Sequence, residues 1–203
     1  MLRGALDHVS RETLDMIDDY VSLLVKWNST INLVSRATLP DVWTRHVTDC
    51  SQLLDIAAAS GRHWVDLGTG GGLPGIVVAI LSSELAPHRR ITLVESDKRK
   101  IAFLNVVKTQ LNLKVTIAEG RIELLPPLRG DIVSARALAP LKILLGYVSR
   151  HITPGGMALL PKGREFNTEL AAARTGWRFS CEPVTSKTQA GAVILRMGNI
   201  VHA

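Results

Sequence analysis

From residue 63 onward, short runs rich in β-branched residues alternate with stretches of helical character, and this alternation constrains the fold more than any other feature of the chain. Trp64-Val65-Asp66-Leu67, Ile91-Thr92-Leu93-Val94, Val115-Thr116-Ile117 and Asp131-Ile132-Val133 predict four strands, each short, apolar and bounded by turn residues. Pro74 to Leu81, Lys98 to Leu111 and Pro140 to Ile152 predict helices between and after them. A helix joining two strands of one sheet crosses over right-handedly and lays them parallel. The expected fold class is therefore α/β, a doubly wound, mostly parallel sheet with helices on both faces. Pro154-Gly155-Gly156 predicts a turn before a fifth strand, Met157 to Leu160. Phe166 to Thr175 then predicts a helix, and Trp177 to Pro183 and Ala192 to Met197 predict two closing strands joined by a polar loop.

The first 60 residues read differently. Leu14, Ile17, Val21 and Leu24 recur at helical spacing behind Ser10, a good N-cap. A second helix is expected to open at Pro40 and to place Trp43, His46 and Val47 on one stripe. A third is expected over Ser51 to Ala58, ending at Gly61. The expected organisation is a helical extension over 1–60 and an α/β domain over 61–203, with no internal repeat. A length of 203 residues with 46% hydrophobic and 21% charged residues is that of one globular core with an appendage. Only Cys50 and Cys181 are present, which argues against a disulfide framework or a cysteine-rich metal site. The longest apolar run, Ile76 to Leu81, is far short of the roughly 20 residues of a membrane span. Met1-Leu2-Arg3 leads into no secretory hydrophobic region. A cytoplasmic monomer with no membrane and no metal is expected.

Charge is unevenly placed. Residues 1–60 carry 5 Lys+Arg against 8 Asp+Glu, and residues 61–203 carry 19 against 10. Of the 24 basic residues 16 are Arg, whose planar fork suits phosphate. A polyanionic partner fits this surplus, as does an ordinary solvated surface.

The strongest chemical signal is Asp66-Leu67-Gly68-Thr69-Gly70-Gly71-Gly72-Leu73-Pro74-Gly75, where the first strand hands over to a helix. Gly68 and Gly70 let the backbone turn sharply and come close to a ligand, and in doubly wound sheets ligands bind at this edge. Glu95, 29 residues after Asp66, ends the second strand, where a carboxylate can accept from both hydroxyls of a ribose. Together the loop and the acid indicate a cofactor containing a nucleoside. Gly70, Gly72 and Gly75 can be read as a dinucleotide fingerprint. The first strand ends near Leu67, however, so the turn begins at Gly68, and the D-x-G-x-G-x-G reading fits better. That form resembles the Rossmann-like methyltransferases that use S-adenosyl-L-methionine (SAM). Asp66 is either a ligand neighbour or the cap of its own glycine turn.

Further segments occur in the order and context of one group: Glu95-Ser96-Asp97-Lys98-Arg99-Lys100-Ile101-Ala102-Phe103-Leu104, Gly120-Arg121-Ile122-Glu123, Ser134-Ala135-Arg136-Ala137 and Lys162-Gly163. With Trp27-Asn28, Ile31-Asn32-Leu33 and Arg45-His46-Val47-Thr48-Asp49 in the helical part, the chain resembles the bacterial 16S rRNA guanine-N7 methyltransferase family, called RsmG or GidB. The likeness runs from about Leu14 to the last strand. It implies SAM contacts at Gly68 and Leu73, at Ile122 and Glu123 and at Arg136, with Glu95 standing where the family often has Asp. It implies 16S rRNA, or the small ribosomal subunit, as substrate. Candidates for RNA contact are His46, Arg121, Lys162, Arg164 and Arg196. The bland alternatives are a packed, hydrogen-bonded histidine at His46 and solvated charges at the others. A buried strand leads into Arg136, where an unpaired guanidinium is costly, so a functional partner is expected there. The place after the fourth strand reads Ala135-Arg136-Ala137-Leu138, which lacks the Pro-Pro-aromatic turn of exocyclic-amine methyltransferases. Neither cysteine sits where a cytosine-C5 nucleophile would. The alternatives are a methyltransferase of another RNA or of a small molecule, and a non-catalytic assembly module.

Overall fold

The computed structural model describes residues 6–57 and 61–203. Helix α1 spans Arg11–Asn28, with Ser10 in extended conformation accepting at its side chain from the Thr13 amide at 3.2 Å. Ile17, Tyr20, Val21 and Leu24 form its buried stripe. Asn28 ends the helix and accepts from the Leu33 and Val34 amides, both at 2.9 Å, which turns the chain back across the domain. The helix expected at Pro40 does not open there. A short 3-10 turn over Arg36–Thr38 is followed by a π-helical turn over Trp43–Thr48, which runs directly into α2, Asp49–Ala57. The expected second and third helices are thus one rod with a π-type N-terminal half. The predicted end at Ala58 lies outside the described residues, as do Met1 to Arg3.

The strands follow the expected alternation: β1 His63–Leu67, α3 Gly75–Leu85, β2 Arg90–Glu95, α4 Lys98–Gln110, β3 Val115–Glu119, β4 Gly130–Ser134, α5 Leu141–His151, β5 Ile152–Lys162, α6 Phe166–Arg174, β6 Trp177–Thr185 and β7 Val193–His202. The seven-stranded sheet has the order β3-β2-β1-β4-β5-β7-β6. β1 to β5 are parallel, and β7 lies antiparallel between β5 and β6. β5 begins at Ile152 rather than Met157. The predicted turn at Pro154-Gly155-Gly156 is instead an irregular stretch of strand, with Gly155 at φ 77° and a register shift against β4.

Alternation along the strands sorts the core into two layers. Trp64, Ile91, Leu93 and Ile132 pack with α1 to α4, while Val65, Leu67, Val94 and Val133 pack with α5 and α6. α3 is buried at every position from Gly75 to Ser82, held between the sheet and the N-terminal helices. Leu24 and Leu53 of the first 60 residues share one hydrophobic cluster with Trp64 and Ile76, and Trp27 and Trp43 pack against that cluster. Both tryptophans therefore serve the core. Among the described residues no helix is long and apolar enough to cross a membrane.

Candidate functional site

The strand order reverses between β1 and β4, and at such a switch point the loops leaving the two strands diverge to opposite faces and open a crevice. The loops are Gly68 to Pro74 after β1 and Ala135 to Pro140 after β4. Between them lies a cavity of about 920 Å³, within the range of small-molecule sites. Its wall includes Gly68, Gly70, Leu73, His46, Arg136 and Lys162.

The glycine loop is built from below. Asp66 is fully buried; its Oδ1 accepts from Ser134 Oγ at 2.7 Å and its Oδ2 from the Gly75 amide at 3.0 Å. Ser134 in turn accepts from the Trp64 indole at 2.8 Å. Asp66 therefore anchors the far end of its own turn, one of the two roles its position allowed. Burial pushes its carboxyl up to about 6, against the pull of its hydrogen bonds and of the Arg136 charge. From above, Tyr20 of α1 donates to the Gly71 carbonyl at 2.7 Å. Gly68 adopts φ 65°, and a Cβ there would meet Leu138 at 2.5 Å. At Gly70, φ 60°, the nearest atom to such a Cβ is 3.9 Å away, so that side of the loop is open.

Glu95 lies beneath this loop. Its Oε2 accepts from the Gly70 amide at 2.9 Å, and its Oε1 accepts from the Ser96 and Asp97 amides at 2.8 and 2.9 Å. The acid thus joins the glycine loop to the start of α4. Ile122 is buried farther along the same sheet edge, beside Glu123, whose carboxylate stands 3.7 Å from Arg121 Nη1. Glu95, Ile122, Glu123 and Arg121 lie outside the wall of the cavity itself.

On the opposite wall Ala137 adopts φ 53°, a left-handed conformation uncommon for a residue with a side chain. The reversal sets Leu138 against Gly68 and leaves Arg136 beside the π-helical turn. Arg136 Nη2 donates to His46 Nδ1 at 3.0 Å, and Nη1 donates to the Arg45 carbonyl at 3.4 Å and stands 3.7 Å from Asp49 Oδ2. Asp49 Oδ1 accepts from Thr188 Oγ1 at 2.7 Å. Burial, then the Arg136 and Arg45 charges, lower His46 to about 4. Arg136 is thus paired within the protein, by Asp49 and the His46 ring nitrogen, partners that the sequence does not reveal, and the expectation of a functional partner no longer rests on an unpaired guanidinium. The spacing of His46 and Asp49, three apart on one rod, is their sole local signal.

The remaining basic candidates are placed separately. Lys162 lines the cavity, but its ammonium is committed to Glu169 at 2.7 Å and to the Ala139 carbonyl at 3.2 Å. Glu169 also accepts from the Leu141 amide at 2.7 Å, bracing the start of α5. Arg164 donates to the Ala190 carbonyl at 3.3 Å and stays exposed. Arg196 lies apart from the site: it pairs with Glu182 at 3.2 Å and lines a smaller hollow with Met157 and Cys181. Its place in β7, opposite Leu159 in mid-strand, carries it away from the edge where the loops converge. Among the described residues no group of three His, Cys, Asp or Glu is placed to hold a metal ion.

The architecture recurs in solved structures. A SAM-dependent methyltransferase from Aquifex aeolicus superposes with a TM-score of 0.59 at 15% identity, covering 87% of this chain and 97% of that one. A methyltransferase from Pyrococcus furiosus gives a TM-score of 0.59 at 18% identity over 74% and 82%. Sequence relatives are much nearer. A Ruegeria protein named ribosomal RNA small subunit methyltransferase G is 49% identical over 98% of this chain and 97% of its own. One of the same name from Cereibacter sphaeroides is 48% identical over 96% and 94%. Residues 13–194 match the profile of the family described as rRNA small subunit methyltransferase G, GidB, a span that takes in most of α1 and the glycine loop, Glu95 and Arg136 alike. The chain belongs to the rRNA small subunit methyltransferase G family.

Proposed function

We propose that the protein transfers the methyl group of SAM to N7 of a guanine in 16S rRNA, acting in the cytoplasm as a monomer on the rRNA or on the small ribosomal subunit. The observation that carries this reading is the cavity at the β1–β4 switch point, floored by Gly68 and Gly70 and walled by Arg136, in a chain whose family is named for rRNA methylation. The residues fit the cofactor. Positive φ at Gly68 and Gly70 opens the backbone toward a ligand, Glu95 holds a carboxylate under the loop, and buried Ile122 offers an apolar surface beside Glu123. In this reading Gly68, Gly70 and Leu73 hold the methionine portion, Glu95 the ribose, Ile122 and Glu123 the adenine side, and Arg136 orients what lies in the cavity. SAM supplies an activated methyl group on a sulfonium.

Guanine N7 carries an in-plane lone pair and attacks without first losing a proton, so the protein has to position and desolvate rather than to abstract. The wall agrees with that division of labour. His46 Nδ1 is engaged by Arg136, Glu169 is engaged by Lys162, and burial pushes the nearby Cys50 thiol up to about 12, too high for a nucleophile. A flipped or unpaired base would enter past Arg136. The test is to incubate the protein with methyl-labelled SAM and 16S rRNA, free and in small subunits, then to digest and identify the labelled nucleoside. Label in 7-methylguanosine is expected. Label in another nucleoside overturns the N7 reading, and SAM binding with no transfer favours the assembly module.

A further inference from the structure

We propose that His46 is a positioning residue, which acts on the site through Arg136 and does not itself touch RNA. The proposal rests on the cavity being the methyl-transfer site. Arg136 is an obligate donor, so its 3.0 Å contact makes His46 Nδ1 the acceptor and puts the ring proton on Nε2. Nε2 then donates to Thr38 Oγ1 at 2.8 Å, and Thr38 Oγ1 donates to the Ser35 carbonyl at 2.7 Å. Every link of this relay runs in one direction and ends on backbone, so the imidazole has one tautomer and one orientation. A protonated imidazole would lose its acceptor and face Arg136 with like charge, and burial beside Arg136 and Arg45 keeps the ring neutral through the ordinary range of pH.

The effect falls on the guanidinium. Nη2 is held by His46, and Nη1 by the Arg45 carbonyl and by Asp49, itself fixed through Thr188. Contacts at both terminal nitrogens define the plane of the fork. Asp49 supplies the countercharge and His46 supplies direction, since a neutral acceptor fixes geometry without cancelling the charge a ligand would meet. The supporting backbone is special on both sides: His46 lies in a π-helical turn, and Ala137, next to Arg136, is in the left-handed region. Such conformations persist where surrounding contacts over-determine them. His46 is only 8% exposed, which leaves its ring little surface for an RNA contact.

The test is a double-mutant cycle with Arg136, read in single-turnover methyl transfer and in SAM affinity. His46→Phe fills the volume without an acceptor, and His46→Asn restores an acceptor near the place of Nδ1. His46→Phe should slow transfer by about 10–100-fold, the scale of misplacing a catalytic-site group. His46→Asn should recover to within about fivefold of wild type. On an Arg136→Lys background, His46→Phe should cost less than about twofold, because the fork it orients is gone. If His46→Phe does not fold, Thr38→Val, which removes the far end of the relay, enters the same cycle and should be likewise less costly without Arg136. Full multiplication of the two losses overturns the proposal, as does His46→Asn as defective as His46→Phe, or a loss confined to RNA affinity. Wild-type protein that binds no SAM and methylates no rRNA would instead overturn the methyltransferase reading.

Discussion

Replacing Asp66 by asparagine should change how stability depends on pH, with a sign opposite to that of carboxylates whose acidity is set by a cationic partner. Asp66 sits under the glycine loop with no exposed surface, and burial outweighs its hydrogen bonds, so its carboxyl rises from 3.8 to about 6. Between those values the folded state holds a proton that the unfolded chain has released. The favourable contribution is complete below pH 3.8 and is lost as pH rises to about 6. A displacement of about two pH units corresponds to ~3 kcal/mol. The carboxamide of the Asp66→Asn variant cannot titrate; it replaces one acceptor oxygen with a donor and costs about 1 kcal/mol at any pH. Urea unfolding of both proteins at intervals from about pH 4 to 7.5 measures the difference directly. The stability of wild type relative to Asp66→Asn should fall by roughly 2 kcal/mol between about pH 4 and 6.5, the rest of the change lying below pH 4, and then level off. The comparison is needed because His46 works the other way. Its folded value of about 4 lies below the ordinary 6.5, so its contribution is present above pH 6.5 and is lost as pH falls toward 4, masking Asp66 in wild type alone. A difference that stays constant, or that grows with pH, would refute the account of Asp66 as a carboxyl kept partly protonated by its burial.

Three further outcomes are expected. Glu95→Ala should weaken SAM binding by about 1.5–3 kcal/mol in calorimetry by removing charge-assisted acceptors, and Gly68→Val should be worse, since its Cβ would meet Leu138 at 2.5 Å; unchanged affinity in both would remove the loop from the cofactor site. Charge reversal at Arg121 and Arg164 together should weaken rRNA binding and flatten its salt dependence, lowering the log–log slope by about 1.5 while SAM affinity holds; equal loss of both ligands would contradict it. Lys162 is excluded from that set because its reversal breaks the pair with Glu169. Single-turnover methylation should be nearly flat from about pH 7 to 8.5, because His46 and Cys50 do not titrate there; a tenfold rise per pH unit would point to a general base.

The parts of the fold legible in the sequence are those set by local pattern. Strands β1, β2 and β4 are visible because a buried parallel strand is a short, mostly apolar run, the edge strand β3 because of its β-branched residues, and the glycine loop because few residues other than glycine adopt the angles it needs. The rod at 43–57 is misplaced from its start. A 3.6-residue period cannot register a π-turn, and Pro40 is a weaker signal than the packing of Val42 and Val47 in the core. At the site, loops that leave one sheet edge can be placed together from topology, which puts Gly68, Glu95 and Arg136 in one neighbourhood. The partners of Arg136 cannot, since His46 and Asp49 meet it across some 90 residues of chain and no spacing rule spans that distance. The place of Arg196, apart from the cavity, is hidden for a related reason. Which way a strand residue faces, and how far along its strand it lies from the functional edge, depends on a register with β5 that the sequence does not state.

Along α2, Asp49, Gln52 and Asp55 form a polar row at intervals of three, and each member grips the loop between β6 and β7. Thr188 Oγ1 donates to Asp49, the Lys187 amide to Gln52 and Lys187 Nζ to Asp55, at 2.7, 2.6 and 3.0 Å. The bonds join residues 132 to 139 positions apart, so closing them asks an early segment of the chain to wait for a late one. Contacts of such range carry a heavy entropic cost before they contribute anything. Ser186 and Gln189, on that loop, belong to the cavity wall. Closure at this range predicts that the wall is completed late in folding, after sheet and helices have brought the two ends of the chain within reach.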